Sequence, residues 1–98
     1  MHMADSPVIE SSEGRVWVRG AVTLETVQTL LAQSHKLLEG GDVRVDLSGV
    51  SEADSSAVAL MLAWARDAAA RSIHISFENC SENLRTLIGL YDVGELLA

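Results

Sequence analysis

Blocks of alternating apolar residues and blocks with helical apolar spacing follow one another along this chain, and their order confines it to a layered α/β architecture. Val8 to Ser12 and Arg15 to Arg19 are two short β-rich runs around Ser12-Glu13-Gly14, which predicts an opening hairpin. Thr23 then stands where a helix N-cap belongs, with Glu25 in the first turn. Leu24, Val27, Leu30, Leu31, Leu37 and Leu38 mark an apolar stripe that Gly40-Gly41 ends. Val43 to Leu47 alternates as a strand, and a polar loop, Ser48 to Ala53, leads to Asp54-Ser55-Ser56. A second helix is expected from there through Ala57 to Arg71, rich in Ala, Leu and Met. Ile73 to Phe77 reads as another strand, Ser81 as the cap of a third helix reaching Leu90, and Glu95 to Ala98 as a short tail after Gly94.

Right-handed crossovers make the later strands parallel. The expected fold is a single α/β domain over residues 8–98, a mixed four- or five-stranded sheet with helices packed on one face, after a tail at residues 1–7. The opposite sheet face must be polar or covered, and Trp17 belongs to it.

Composition narrows the function. Fourteen acidic residues against seven basic ones give a net charge of −7, the opposite of the basic footprint that nucleic acid or an anionic membrane requires. The longest apolar stretch, Ala57 to Ala65, is about half of what a bilayer span needs and is closed by Arg66 and Asp67, so no direct membrane insertion is expected. The N-terminus lacks a secretory pattern and Cys80 is the one cysteine, which points to the cytoplasm. His2, His35 and His74 are scattered without ligand spacing, so no metal or other cofactor is expected. Cys80 has no neighbouring base and reads as a small buried thiol. Gly40-Gly41 lacks the Lys-Ser/Thr of a phosphate loop. Glu52 and Asp54 lie close in sequence with nothing evident to bury them. A catalytic role has the least support, and a nucleotide-binding or hydrolysing domain lacks a phosphate cradle.

The informative segment runs from Asp46 to Leu62. It delivers Asp-Ser-Ser to a helix start, where free backbone N–H groups and the positive dipole end meet solvent. Capping by Asp54 or Ser55 accounts for one side chain. A second hydroxyl exceeds what one cap needs and is available for contact or modification. The following helix carries a wide apolar arc. Val58, Met61, Leu62, Ala65 and Ala69 can face the sheet, with Leu60 and Trp64 to one side and Ala57 and Ala68 at the margin. That arc either packs beneath neighbouring helices or exposes a patch centred on Trp64, bordered by Leu90 and Tyr91.

The segment resembles the signature of the STAS domain family: an Asp-Leu strand end, a short loop, then Asp-Ser-Ser opening a helix. Gly20-Ala21-Val22-Thr23 before it and Leu87-Ile88-Gly89-Leu90-Tyr91 after it fall in family order, so the likeness spans nearly the whole chain. Within the family the chain is most similar to the MlaB-type subunit of bacterial phospholipid ABC transporters, which maintain outer-membrane lipid asymmetry. The resemblance implies a non-catalytic cytoplasmic protein, peripheral at the inner membrane. Its partner would be the transporter ATPase, in a complex with permease and lipid-binding subunits, and Ser55 would be the hydroxyl that matters for that partner. The expected contact residues are Asp54, Ser55, Ser56, Ala57, Leu60, Trp64, Leu90 and Tyr91. The alternative is an anti-sigma factor antagonist or related partner-switching protein, with a serine kinase or anti-sigma factor as partner and Ser56 as the phosphorylated residue. The family glycine after Ser-Ser is Ala57 here, which is expected to add a methyl group to the surface a kinase approaches.

Overall fold

The computed structural model describes residues 7–34, 37–91 and 93–97. Of the expected tail only Pro7 is described, and it is buried. His2 and His35 lie outside the described residues. The elements are β1 (Val8–Ser12), β2 (Arg15–Val22), α1 (Val27–Gln33), β3 (Val43–Ala53), α2 (Ser55–Ala70), β4 (Ile75–Glu78), α3 (Glu82–Leu90) and α4 (Gly94–Leu97). They form a four-stranded sheet in the order β1-β2-β3-β4. β1 pairs antiparallel with β2 through a tight turn whose Glu13 and Gly14 both have positive φ, the geometry that matches strand twist in a hairpin. The β2–β3 and β3–β4 pairings are parallel.

Alternation decides which side chains enter the core. Val16 and Val18 of β2 and Val43, Val45 and Leu47 of β3 point to the helix side, where they meet Leu30, six residues of α2, Leu84 and Leu97. Fully burying side chains of this size contributes about 1.5–3 kcal/mol each, so this single cluster dominates stability.

Three expectations are corrected. The polar stretch Ser48–Ala53 is not a loop: it continues β3 and pairs with the second half of β2, from Arg19↔Gly49 to Val22↔Ala53. Two register shifts break the period of two, so the apolar alternation that marks a strand is lost although the backbone ladder persists. Gly49 is needed there, because a Cβ would lie 2.7 Å from Arg19 Cγ and 3.2 Å from the Val18 carbonyl. The first helix starts at Val27 rather than after Thr23. The Thr26 hydroxyl donates to the Ala21 carbonyl at 2.8 Å and accepts from the Thr23 N–H at 2.9 Å, which holds residues 23–26 in a turn. Leu24 therefore leaves the apolar stripe and is 75% exposed, while Leu30 is fully buried. Finally, the tail after Gly94 winds into α4, whose Leu97 joins the core.

The fourth strand begins at Ile75, two residues later than its alternation suggests, and leaves His74 exposed before it. The third helix forms as expected. Ser81 Oγ accepts from the Leu84 N–H at 3.1 Å, and Leu84 is buried.

The other face of the sheet is polar. Arg44 sends Nε and Nη2 to Glu78 Oε2 at 2.9 and 2.8 Å, Arg15 reaches Asp46 and Glu78 at 3.4 and 3.5 Å, and Arg19 pairs with Glu10 at 2.8 Å. Trp17 lies on this face under the Arg15 guanidinium, 5.7 Å from its ring centroid. Asp46, buried at the centre of the network, accepts from the Ser48 N–H at 2.8 Å and from Asn79 Nδ2 at 3.2 Å. Hydrogen bonds from Ser48, then from Asn79 and Arg15, outweigh burial and lower its pKa from 3.8 to about 2.

Two outcomes follow from this packing. Leu30→Ala is expected to lower unfolding stability by about 2–5 kcal/mol, whereas Leu24→Ala stays within about 0.5 kcal/mol, both read by urea denaturation. The stabilisation from Asp46 is complete above pH 3.8 and is lost as pH falls toward about 2. Melting temperature between pH 6 and pH 2 should therefore fall more steeply in the native chain than in Asp46→Asn, and parallel curves would contradict this role.

Candidate functional site

The end of β3 and the start of α2 converge on Asp54. Its backbone is extended (φ −125°, ψ −167°), the geometry of a helix N-cap, and Oδ1 accepts from the Ser56 N–H at 2.8 Å. The other carboxylate oxygen accepts from the Leu24 N–H at 3.0 Å, thirty residues earlier. Burial pushes the Asp54 pKa up, but hydrogen bonds from the Leu24 and Ser56 amides and the Ser56 hydroxyl prevail, so it lies below its ordinary 3.8. The carboxylate is thus committed to two amides, an arrangement suited to positioning.

Ser55 is exposed at the first turn of α2 and Ser56 is half-buried. Three other expected contact residues are not at the surface. Ala57, Leu60 and Trp64 belong to the core, Trp64 being only 4% exposed, and there is no apolar patch centred on Trp64. The reason is that α2 is covered on more than its sheet-facing side. Leu60 and Trp64 close an internal crevice of about 10 Å³ with Val18, Val22, Leu47, Val50 and Leu84. The Ala57 methyl points into the same crevice, so it is absent from the surface a kinase would approach.

The apolar surface lies instead along the Ala59 side of α2. One shallow cleft of about 270 Å³ is lined by Leu24, Val27, Leu31, Ser56, Ala59, Leu60 and Ala63. A second, of about 380 Å³, is lined by Ser55, Val58, Ala59, Leu62, Tyr91 and Val93. Ala59 is the ridge between them, and each cleft has one of the two serines at its edge. Tyr91, 53% exposed, borders the second cleft as expected. Leu90, 74% exposed, lines neither. A larger depression of about 460 Å³ sits between α1 and the far end of α2, beside the Asp67–Arg71 ion pair and away from the serines.

Sequence patterning missed Leu24 and Ala59. Leu24 fits the helical stripe by spacing, and only the hydrogen bonds of Thr26 and Asp54 turn it outward. Ala59 was legible in principle, since it follows Ser55 by four and Ser56 by three, the spacings that share a helix face.

What this arrangement offers is two hydroxyls and apolar surface. Both clefts are shallow, and among the described residues neither is lined by a carboxylate, histidine or thiol. Among the described residues no three His, Cys, Asp or Glu gather into a metal-holding cluster. Cys80 is half-buried, and burial raises its pKa against the opposing charge of Arg85. No helix among the described residues is long and apolar enough to cross a membrane. Asp54→Ala removes the α2 cap and should cost about 0.5–2 kcal/mol in urea denaturation, with Ser55→Ala close to neutral. Equal losses in the two variants would contradict the assignment of the cap.

Comparison with known proteins places this geometry. Nothing among curated proteins matches the chain. The fold is similar to that of the anti-sigma factor antagonist SpoIIAA in its unphosphorylated form, with a TM-score of 0.73 and 19% identity over 95% of this chain and 86% of that one. The phosphorylated form of the Bacillus cell fate determinant SpoIIAA is similar too, with a TM-score of 0.68 and 21% identity over 95% of this chain and 89% of that one. At these identities the likeness is one of fold. A family model described as Mlab, STAS domain matches residues 7–98, from the residue before β1 to the last residue, and the chain therefore belongs to the STAS-domain family.

Proposed function

We propose that this chain is a non-catalytic STAS subunit that binds the ATPase of a phospholipid-transporting ABC system. It would work at the cytoplasmic face of the inner membrane, in a complex with permease and lipid-binding subunits. The observation that carries the reading is the exposed Ser55 hydroxyl at the head of an apolar cleft shared with Tyr91, in a chain whose family model is the Mlab type. An exposed hydroxyl bordered by an aromatic side chain suits a protein interface, where Tyr supplies contact area at low entropic cost. The mechanism is differential binding: the subunit shifts the nucleotide cycle by the difference in its affinity for two ATPase conformations and by no more.

A second reading draws support from Ser56. It is the serine that the partner-switching branch would phosphorylate, and the buried Ala57 methyl removes the obstacle expected there. Its phosphate would sit at the N-terminus of the sixteen-residue α2, where the dipole favours it by about 0.3–1 kcal/mol. The fold would survive and only the contact would change.

Titration of the purified chain against the purified ATPase tests the first reading. Ser55→Asp and Tyr91→Ala are each expected to weaken binding about tenfold or more, roughly 1.4 kcal/mol. Native-like affinity in both variants would contradict it. Stoichiometric phosphate on Ser56 after incubation with a serine kinase encoded beside the chain, read by mass spectrometry, would favour the second.

A further inference from the structure

The first cleft, on the α1 side of α2, carries an inference that rests on the ATPase-binding reading and deepens it. Leu24 projects from the turn between β2 and α1 with three-quarters of its surface in solvent. An exposed leucine alone is ordinary. This one is held at both ends of its turn. Thr26 ties the base to the Ala21 carbonyl at 2.8 Å, and Asp54 Oδ2 takes the Leu24 amide at 3.0 Å. The same carboxylate caps α2 through its other oxygen, so the position of Leu24 is referred directly to the serines at the helix start.

We infer that Leu24 is an anchor of the docking surface and that Asp54 is the positioning residue that presents it, so that the partner engages both sides of the Ala59 ridge. The partner feature that fits is an apolar side chain flanked by a cationic one. The cleft supplies Leu24, Val27, Leu31, Ala59 and Ala63 and, among the described residues, no charged one. Glu25, next to Leu24, and Glu52, two residues before Asp54, are both exposed and form no ion pair among the described residues. Arg15, Arg19, Arg44 and Arg71, by contrast, already face carboxylates of their own, and Arg66, exposed and without an ion pair among the described residues, lies two turns beyond Ala59 along α2. At the Leu24 end of the cleft the charge left free is that of Glu25, and its complement is a basic group. Fixing the leucine before contact lowers the ordering cost of association.

Asp54→Asn separates the tether from the cap. Asparagine is as good an N-cap as aspartate but offers one acceptor oxygen where the carboxylate offers two. With that oxygen on Ser56, the Leu24 amide loses its acceptor. In the free protein, hydrogen exchange at the Leu24 amide should quicken about tenfold or more in Asp54→Asn, while the Ser56 amide stays protected and the melting temperature changes little. Unchanged exchange at Leu24 would overturn the tether.

Titration against the purified ATPase completes the test. Leu24→Ala and Asp54→Asn should each weaken binding about tenfold, and the double variant should bind no more weakly than the worse single one, because both remove the same anchor. Glu25→Lys should also weaken binding and flatten its dependence on salt. Native affinity in Leu24→Ala, with binding still lost in Ser55→Asp, would overturn the inference and leave the ATPase reading intact. A native chain that fails to bind the ATPase would contradict that reading and the docking role of Leu24 together, while the exchange measurement still decides whether Asp54 holds the loop.

Discussion

A single carboxylate joins the two segments on which the proposed contact rests. Asp54 accepts one amide from the first turn of α2 and another from the turn before α1, segments that are remote in sequence. The Leu24 bond is exposed to solvent and the Ser56 bond half-buried, so what the ionised acceptor contributes here is position more than stability. Both bonds act at the point where the β2–β3 ladder ends and the chain enters its longest helix. The ladder delivers Asp54 to this point: its own N–H donates to the Val22 carbonyl at 3.3 Å, closing the last rung before the helix. Without the extension of β3 to Ala53, the two amides would not lie within reach of one side chain.

The two sides of the molecule treat their polar and apolar groups differently. On the open face of the sheet, Arg15, Arg19 and Arg44 meet Glu10, Asp46 and Glu78, so much of the charge is answered within the chain. Exposed pairs of this kind add little stability, but they leave few unmet charges to recruit a partner. At the head of α2, the core takes the large side chains and the exposed line of the helix keeps small ones. Leu60 and Trp64 turn inward, while Ala59 and the two serines remain outside. A ridge of small residues between apolar clefts allows another backbone to approach closely, which large exposed side chains would prevent.

Much of this was legible before any coordinates. The hairpin, a cap at Asp54 or Ser55, the cap Ser81 and the third helix follow from local rules, since each depends on residues within a few positions of one another. The illegible parts all depend on distant partners. Ser48 to Ala53 looks like a loop because two register shifts erase its alternation, and the ladder with β2 that makes it a strand is invisible in one stretch of sequence. Leu24 fits a helical stripe by spacing and is turned outward by Asp54 and Thr26. Trp64 could have faced either way on a helix with a wide apolar arc, and the neighbouring helices and the strands beneath decided it. The motif Asp-Ser-Ser was readable as a helix start with a hydroxyl to spare, but which apolar residues accompany it was not.

The central claim is that the head of α2 and the segments on both sides of it form the contact surface. Backbone amide chemical shifts of the labelled chain on addition of the unlabelled ATPase test this most directly. Perturbations should gather at Leu24, Ser55, Ser56, Ala59 and Tyr91 and spare Trp17, Arg44 and Ser76. Perturbations confined to the open sheet face, with Ser55 and Ala59 unmoved, would contradict the account.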